Sequence, residues 1–215
     1  AVELVLLDGA GERGLCAGGD VRSLYDSRGQ GSGFARAFWR DEYRLNTLIH
    51  RYRKPFVPIM DGIVMGGGIG LSGHASHRIV TERSMLAMPE TTIGLIPDVG
   101  GTWLLSRSPG EIGTYFGLTG QTMNGPDAVY AGFADVVVRS EELPALREVL
   151  ARAAPGIPSR DIRTLIETFT TDENAGPVAA MQSKIDRCFA YDRMEDIMAA
   201  LQRDASDFAQ ATLKA

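Results

Sequence analysis

The chain has 215 residues, 44% of them hydrophobic and 23% charged, enough for one globular domain with a sizeable core plus a smaller appendage, and too apolar for a disordered chain. No stretch approaches the ~18 consecutive apolar residues that span a bilayer, and 22 Lys and Arg against 27 Asp and Glu leave a net charge of -5, which disfavours nucleic acid and anionic membranes as partners. The two cysteines, Cys16 and Cys188, make neither a disulfide framework nor a metal cluster and read as structural thiols in a reducing compartment.

The first apolar run, Leu4-Val5-Leu6-Leu7, stops at Asp8-Gly9 and predicts a buried strand ending in a turn. No initiator Met or signal-like segment precedes it, so the chain is expected to be cut from a longer one, with an earlier strand absent. Residues 9 to 19 hold five glycines and are expected to be a loop, and Phe34 to Tyr52 repeats apolar side chains at helical spacing. Lys54-Pro55 ends that helix. Phe56 to Met60 predicts a strand, Asp61-Gly62 a turn, and Ile63-Val64-Met65 a second strand running into Gly66-Gly67-Gly68. Arg78 to Thr81, Met85 to Met88 and Ala134 to Val138 predict further strands, alternating with helices over Val99 to Arg107, Gly110 to Leu118 and Pro126 to Ala131. The alternation makes an α/β core over residues 1–140. Residues 141–215 carry four helical periodicities, Glu141 to Ala154, Ser159 to Phe169, Gly176 to Phe189 and Met194 to Phe208, and are expected to pack on the core or on a neighbouring subunit.

Three segments could carry chemistry. In Cys16-Ala17-Gly18-Gly19-Asp20 the adjacent glycines can leave a peptide N–H unpaired and aimed at an anion; the plainer reading is a turn before an Asp-capped helix. Met65-Gly66-Gly67-Gly68-Ile69-Gly70-Leu71 joins a strand to a helix but lacks both G-x-G-x-x-G and the Walker Lys-Ser/Thr pattern, so a dinucleotide or nucleotide-phosphate loop is excluded. What remains is a junction with open backbone donors, suited to a developing oxyanion, or simply close helix-on-sheet packing. Glu90 and Asp98 lie eight residues apart in stretches with few other charges, each beside a proline. In a shared dry pocket their titrations couple and one pKa rises, as acid/base work near neutral pH needs; for Asp98 alone, helix capping is the expected role.

Ser72, His74 and His77 do not form G-x-S-x-G and crowd one short segment, so a serine-hydrolase triad is not expected. Three histidines and two cysteines argue against zinc.

Taken in order, Cys16-Ala17-Gly18-Gly19-Asp20, Gly66-Gly67-Gly68-Ile69-Gly70-Leu71, and Met88-Pro89-Glu90-Thr91 through Ile96-Pro97-Asp98-Val99-Gly100-Gly101 resemble the crotonase (enoyl-CoA hydratase/isomerase) superfamily. Within it, Phe38-Trp39-Arg40-Asp41-Glu42-Tyr43 and the Glu90/Asp98 pair are similar to the 3-hydroxyisobutyryl-CoA hydrolase branch. The resemblance implies a crotonase-like ββα spiral with two roughly perpendicular sheets and a helical C-terminal region. It implies an oxyanion hole at the Gly19 and Gly67 N–H groups, Glu90 and Asp98 as catalytic acids, and Glu42, Gly67 and Asp20 at the substrate. It further implies hydrolysis of a short branched hydroxyacyl-CoA thioester of the valine-catabolism type, with coenzyme A part of the substrate and no separate cofactor or metal. Trimers or hexamers are common in the superfamily, and the compartment is expected to be cytoplasmic in a bacterium and mitochondrial in a eukaryote. One departure stands out. A two-glutamate hydratase carries its first glutamate where this chain has Gly70, so simple hydration is not expected, and enoyl-CoA hydratase or isomerase chemistry with Glu90 alone is the alternative. A non-catalytic or RNA-binding scaffold is the alternative of another class.

Overall fold

A computed structural model describes residues 2–29, 31, 33–153, 156–171 and 176–214. Seven strands, β1 (Val5–Leu7), β2 (Gly14–Cys16), β3 (Phe56–Met60), β4 (Ile63–Met65), β5 (Ile79–Val80), β6 (Met85–Ala87) and β7 (Val136–Val137), deal alternately into two sheets. The odd-numbered strands form one sheet in the order β1-β3-β5-β7 and the even-numbered ones the other, β2-β4-β6, with every pairing parallel. Two successive short strands therefore feed two different sheets before a helix returns the chain, which is the ββα spiral that the resemblance implies.

The strand signals follow burial. Val57 and Ile59 of β3 have no exposed surface and point into one apolar cluster, while Met60 points into the other, so β3 is apolar on both faces and reads as an uninterrupted run. Truncating a residue such as Ile59 to alanine would cost about 2–5 kcal/mol by the transfer and cavity terms together. Pro58 lies opposite Leu7 of β1, before the pairing with β5 begins at Ile59, which is how a strand between two neighbours tolerates it.

Helices α1 (Val21–Asp26), α2 (Gly33–His50), α3 (Gly67–Ser72), α4 (Gly101–Leu105), α5 (Ile112–Thr119) and α6 (Gly125–Tyr130) lie among the strands. α7 (Leu143–Ala151) and α8 (Ser159–Glu167) add Leu143, Leu146, Leu150, Ile162 and Ile166 to the cluster of Val57 and Ile59. α9 (Pro177–Phe189), α10 (Met194–Arg203) and α11 (Asp207–Thr212) cover the other cluster. The α9 N-terminus is fastened by a buried carboxylate: Asp127 Oδ1 accepts the Val178 N–H at 2.9 Å. None of these helices is long and apolar enough to cross a membrane, among the described residues.

Two expectations need correction. The glycine loop of residues 9 to 19 contains β2, whose pairing partner β4 lies some fifty residues away; Gly-Leu-Cys has little strand propensity of its own and is made a strand by that neighbour. The expected single helix from Met194 to Phe208 is two, because Asp204 Oδ1 accepts the Ser206 N–H at 2.9 Å and Ser206 in turn caps α11. The predicted Asp172-Glu173-Asn174 turn, together with Ala154 and Pro155, lies outside the described residues.

Candidate active site

Because β2 and β4 are parallel neighbours, their carboxyl ends deliver the two glycine turns to one place. β2 leaves through Ala17-Gly18-Gly19, and β4 through Gly66 into α3. Gly66 has φ 49 and the Glu90 Oε1 atom 2.8 Å from where a Cβ would stand, so both backbone conformation and space restrict it to glycine. A Cβ on Gly67 would meet the Gly19 nitrogen at 3.3 Å and Glu42 Oε1 at 3.5 Å. These distances put the Gly19 amide and the Glu42 carboxyl each beside the Gly67 peptide. Gly67 opens α3, where a first-turn N–H has no intrahelical acceptor, and the Gly19 N–H likewise donates to no protein group among the described residues.

β6, next to β4, hands the chain to Pro89 and to a short 3-10 turn, Glu90–Ile93, that starts with the glutamate facing the Gly66 peptide. Phe38, Trp39 and Glu42 share one side of α2 at three- and four-residue spacing and turn it toward the same space. The result is a cleft of about 350 Å³ walled by Tyr25, Phe38, Trp39, Ile93 and Leu95, with Glu42, Glu90 and Asp98 as its acids and the peptides of Gly19 and Gly67 at its edge. No Lys or Arg is among the residues that line it.

The electrostatics follow. Burial pushes the Glu90 carboxyl up to about 7; the hydrogen bond from its own backbone amide opposes this, and the charges of Asp98 and Glu42 add to it. Burial also raises Asp98, and burial and then the Asp98 charge raise Glu42. Glu90 is only 7% exposed. Its Oε2 atom and that of Glu42 are buried without a hydrogen-bond partner among the described residues. A buried carboxyl oxygen left unpaired is expensive, so such atoms mark where a ligand or water is expected to bind.

Of the six residues singled out, Gly19, Gly67, Glu42, Glu90 and Asp98 meet in the cleft, and Asp20 does not. Its carboxylate caps α1, accepting from the Ser23 N–H at 2.9 Å and the Ser23 hydroxyl at 2.6 Å, both of which hold it below the usual carboxylate range. The plainer sequence reading, an Asp-capped helix, is the one seen. Asp98 reverses its expectation: the N-cap of α4 is Gly100, and the Asp98 side chain faces the cleft. Glu42 is half-buried there.

Ser72 donates to Gly68 O at 2.7 Å, His74 Nε2 lies 2.7 Å from Val99 O, and His77 bonds Ser76 and Ser159, so the three make no triad. Cys16 packs its main chain against Gly68, where a Cβ would come within 2.5 Å of Cys16 O. The apolar walls were not anticipated. Their signal is α1 itself, a short helix after a Gly-Gly turn with no buried residue yet bearing Val21, Leu24 and Tyr25.

The family model described as enoyl-CoA hydratase/isomerase matches residues 1–215. Among curated proteins, the 3-hydroxyisobutyryl-CoA hydrolase of Rattus norvegicus is 39% identical over 98% of this chain and 56% of its own length. The small ribosomal subunit protein mS47 of Neurospora crassa is 42% identical over 96% of this chain and 43% of its own length. The chain thus spans about half the length of the curated relatives it matches. A solved structure titled carnitinyl-CoA dehydratase, from Mycobacterium thermoresistibile, superposes with a TM-score of 0.91 at 46% identity, covering 99% of this chain and 61% of that one. A second, titled enoyl-CoA hydratase, from Rhodobacter sphaeroides, gives 0.86 at 42%, covering 99% of this chain and 60% of that one.

Proposed function

Since the chain belongs to the enoyl-CoA hydratase/isomerase family, the crotonase superfamily, we propose that it hydrolyses a short, branched hydroxyacyl-CoA thioester of the 3-hydroxyisobutyryl type. The observation that carries this reading is a buried glutamate, Glu90, with one oxygen unpaired, in a cleft whose edge holds two glycine amides, both without a partner among the described residues, as is that oxygen. The thioester oxygen accepts from the Gly19 and Gly67 N–H groups, which stabilise the negative charge that builds up when the carbonyl carbon becomes tetrahedral. Each such donor is worth roughly 3 kcal/mol in the transition state.

Glu90, ionised, then works on the carbonyl carbon by one of two routes. It attacks directly, expelling the CoA thiolate and leaving a mixed anhydride that water hydrolyses, or it takes a proton from a water that attacks the carbonyl carbon, after which the C–S bond breaks and the departing CoA thiolate receives the proton. Asp98 orients the substrate hydroxyl or the water, and Glu42 accepts a hydrogen bond from the acyl hydroxyl. Coenzyme A enters as part of the substrate, and no resident cofactor has a role in the scheme. A single turnover in oxygen-18 water tests the first route: label in Glu90 identifies the anhydride, and its absence excludes anhydride hydrolysis at the enzyme carbonyl.

Two features favour hydrolysis over hydration. Glu90 shares its cleft with Asp98, and position 70, where the resemblance gives a two-glutamate hydratase its first glutamate, is a glycine with no space for a side chain. A Cβ there would lie 2.8 Å from both Val99 Cβ and Asn46 Nδ2. The second reading, a scaffold without turnover, is favoured by the ribosomal name of a 42% identical relative. Incubation with 3-hydroxyisobutyryl-CoA and with crotonyl-CoA decides among them. Release of free CoA thiol from the first supports the hydrolase; loss of the crotonyl double bond without thiol release makes it a hydratase; neither reaction overturns both and leaves the isomerase and scaffold readings.

A further inference from the structure

The proposed chemistry makes no use of His74, yet this side chain grips the segment that carries Asp98. It lies two residues beyond the end of α3, the helix whose first residue is Gly67. Its Nε2 is 2.7 Å from the carbonyl oxygen of Val99. A carbonyl can only accept, so Nε2 carries the proton. Val99 is the residue after Asp98, 1% exposed, and has φ 46, a left-handed conformation that β-branched residues avoid unless their surroundings enforce it.

The enforcement is visible on both sides of the peptide. The Val99 side chain lies against Gly70 of α3, where a Cβ would come within 2.8 Å of Val99 Cβ. The His74 ring lies against Gly100, where a Cβ would come within 2.8 Å of Nε2. Glycines at 70 and 100 are therefore what allow the valine and the imidazole to close on each other. The ring is braced by Trp103 of α4 and His50 of α2, with centroids 6.1 and 6.3 Å away. The charged and titratable groups acting on it are His50 and Arg78, and burial keeps it neutral at neutral pH.

We propose that His74 is a positioning residue for Asp98: its hydrogen bond to the Val99 carbonyl pins a strained peptide, and through α3 sets the Asp98 carboxyl at a fixed place relative to the Gly67 amide. One short helix thereby holds the oxyanion donor at its start and, just past its end, the clamp on the acid. The catalytic part of this inference rests on the hydrolase reading; the structural part does not.

The test measures both. In the wild-type chain, nitrogen-15 spectra must show His74 protonated on Nε2; a ring protonated only on Nδ1 overturns the proposal without any variant. His74→Phe keeps the ring volume and removes the donor, whereas His74→Gln keeps a donor. His74→Phe should change the carbon-13 titration of the Asp98 carboxyl while leaving that of Asp204, which bonds Ser206 between α10 and α11, alone, and His74→Gln should restore most of it. With 3-hydroxyisobutyryl-CoA, His74→Phe should lower kcat roughly tenfold with KM within about twofold, the scale of one lost hydrogen bond. Wild-type titration of Asp98 in His74→Phe overturns the proposal, whatever the enzyme does. No thiol release by wild type overturns the hydrolase reading instead, and the Asp98 titration still decides the clamp.

Discussion

Glu90→Gln should make the protein more stable and inactive at once. Burial holds the Glu90 carboxyl up at about 7, against 4.5 for an ordinary glutamate, so the folded protein keeps a proton that the unfolded chain gives up. Between these two pH values folding takes up a proton, and stability falls as pH rises; above about 7 the loss is complete and constant. The separation of the two values corresponds to about 3 kcal/mol. Glutamine is neutral throughout and fits the same space. The variant should therefore gain about 3 kcal/mol over wild type at pH 8, a gain that fades toward pH 4, on top of any constant offset. For a chain of this size that gain is a rise of roughly 6–12 °C in Tm. Thermal and urea unfolding of both proteins at pH 4, 6 and 8 measures it, with thiol release assayed on the same samples. Parallel pH profiles would refute the reasoning, because they would mean that Glu90 ionises in the fold as it does in the unfolded chain. A gain at pH 8 with turnover intact would place the buried acid outside the chemistry.

Because Glu90 must be ionised to attack or to accept a proton, kcat/KM should climb about tenfold per pH unit below about 7 and level off above it, a limb that a pH–rate profile shows and that vanishes with Glu90→Gln. Gly70→Glu, which supplies the carboxylate of a two-glutamate hydratase, should push against Val99 and Asn46 and lower stability by about 1–3 kcal/mol without adding crotonyl-CoA hydration, read by Tm and substrate absorbance. Asp127→Ala leaves the Val178 N–H at the start of α9 without its acceptor and should reduce the urea-unfolding free energy by about 1–3 kcal/mol, with thiol release by the folded fraction unchanged.

The residues most legible in the sequence were those whose part is played by the backbone. Gly19 and Gly67 are legible because each follows a glycine in a left-handed turn, Gly18 at φ 116 and Gly66 at φ 49, and β3 matched its predicted span residue for residue because a strand buried on both faces reads as an unbroken apolar run. Side-chain direction was the illegible part. Asp20 and Asp98 are both short acids before a helix, each readable as a cap or as a site residue; Asp20 took the cap, while Asp98 was freed because Gly100 took the cap of α4. The choice depended on a left-handed Val99, which no local propensity predicts and which α3 and His74 impose from twenty-five or more residues away. β2 was hidden for the same reason, since its strand character is lent by β4.

By itself, then, the order of residues determined the α/β alternation, the placing of the glycine turns and the presence of isolated acids, all of which depend on neighbours within a few positions. Only the tertiary structure decided which acids share a cleft, because parallel pairing of β2, β4 and β6 brings together peptides some fifty to seventy residues apart. That same enclosure raises the Glu90 carboxyl to about 7, a property that depends on water being excluded from several directions at once and that no short stretch of chain can possess.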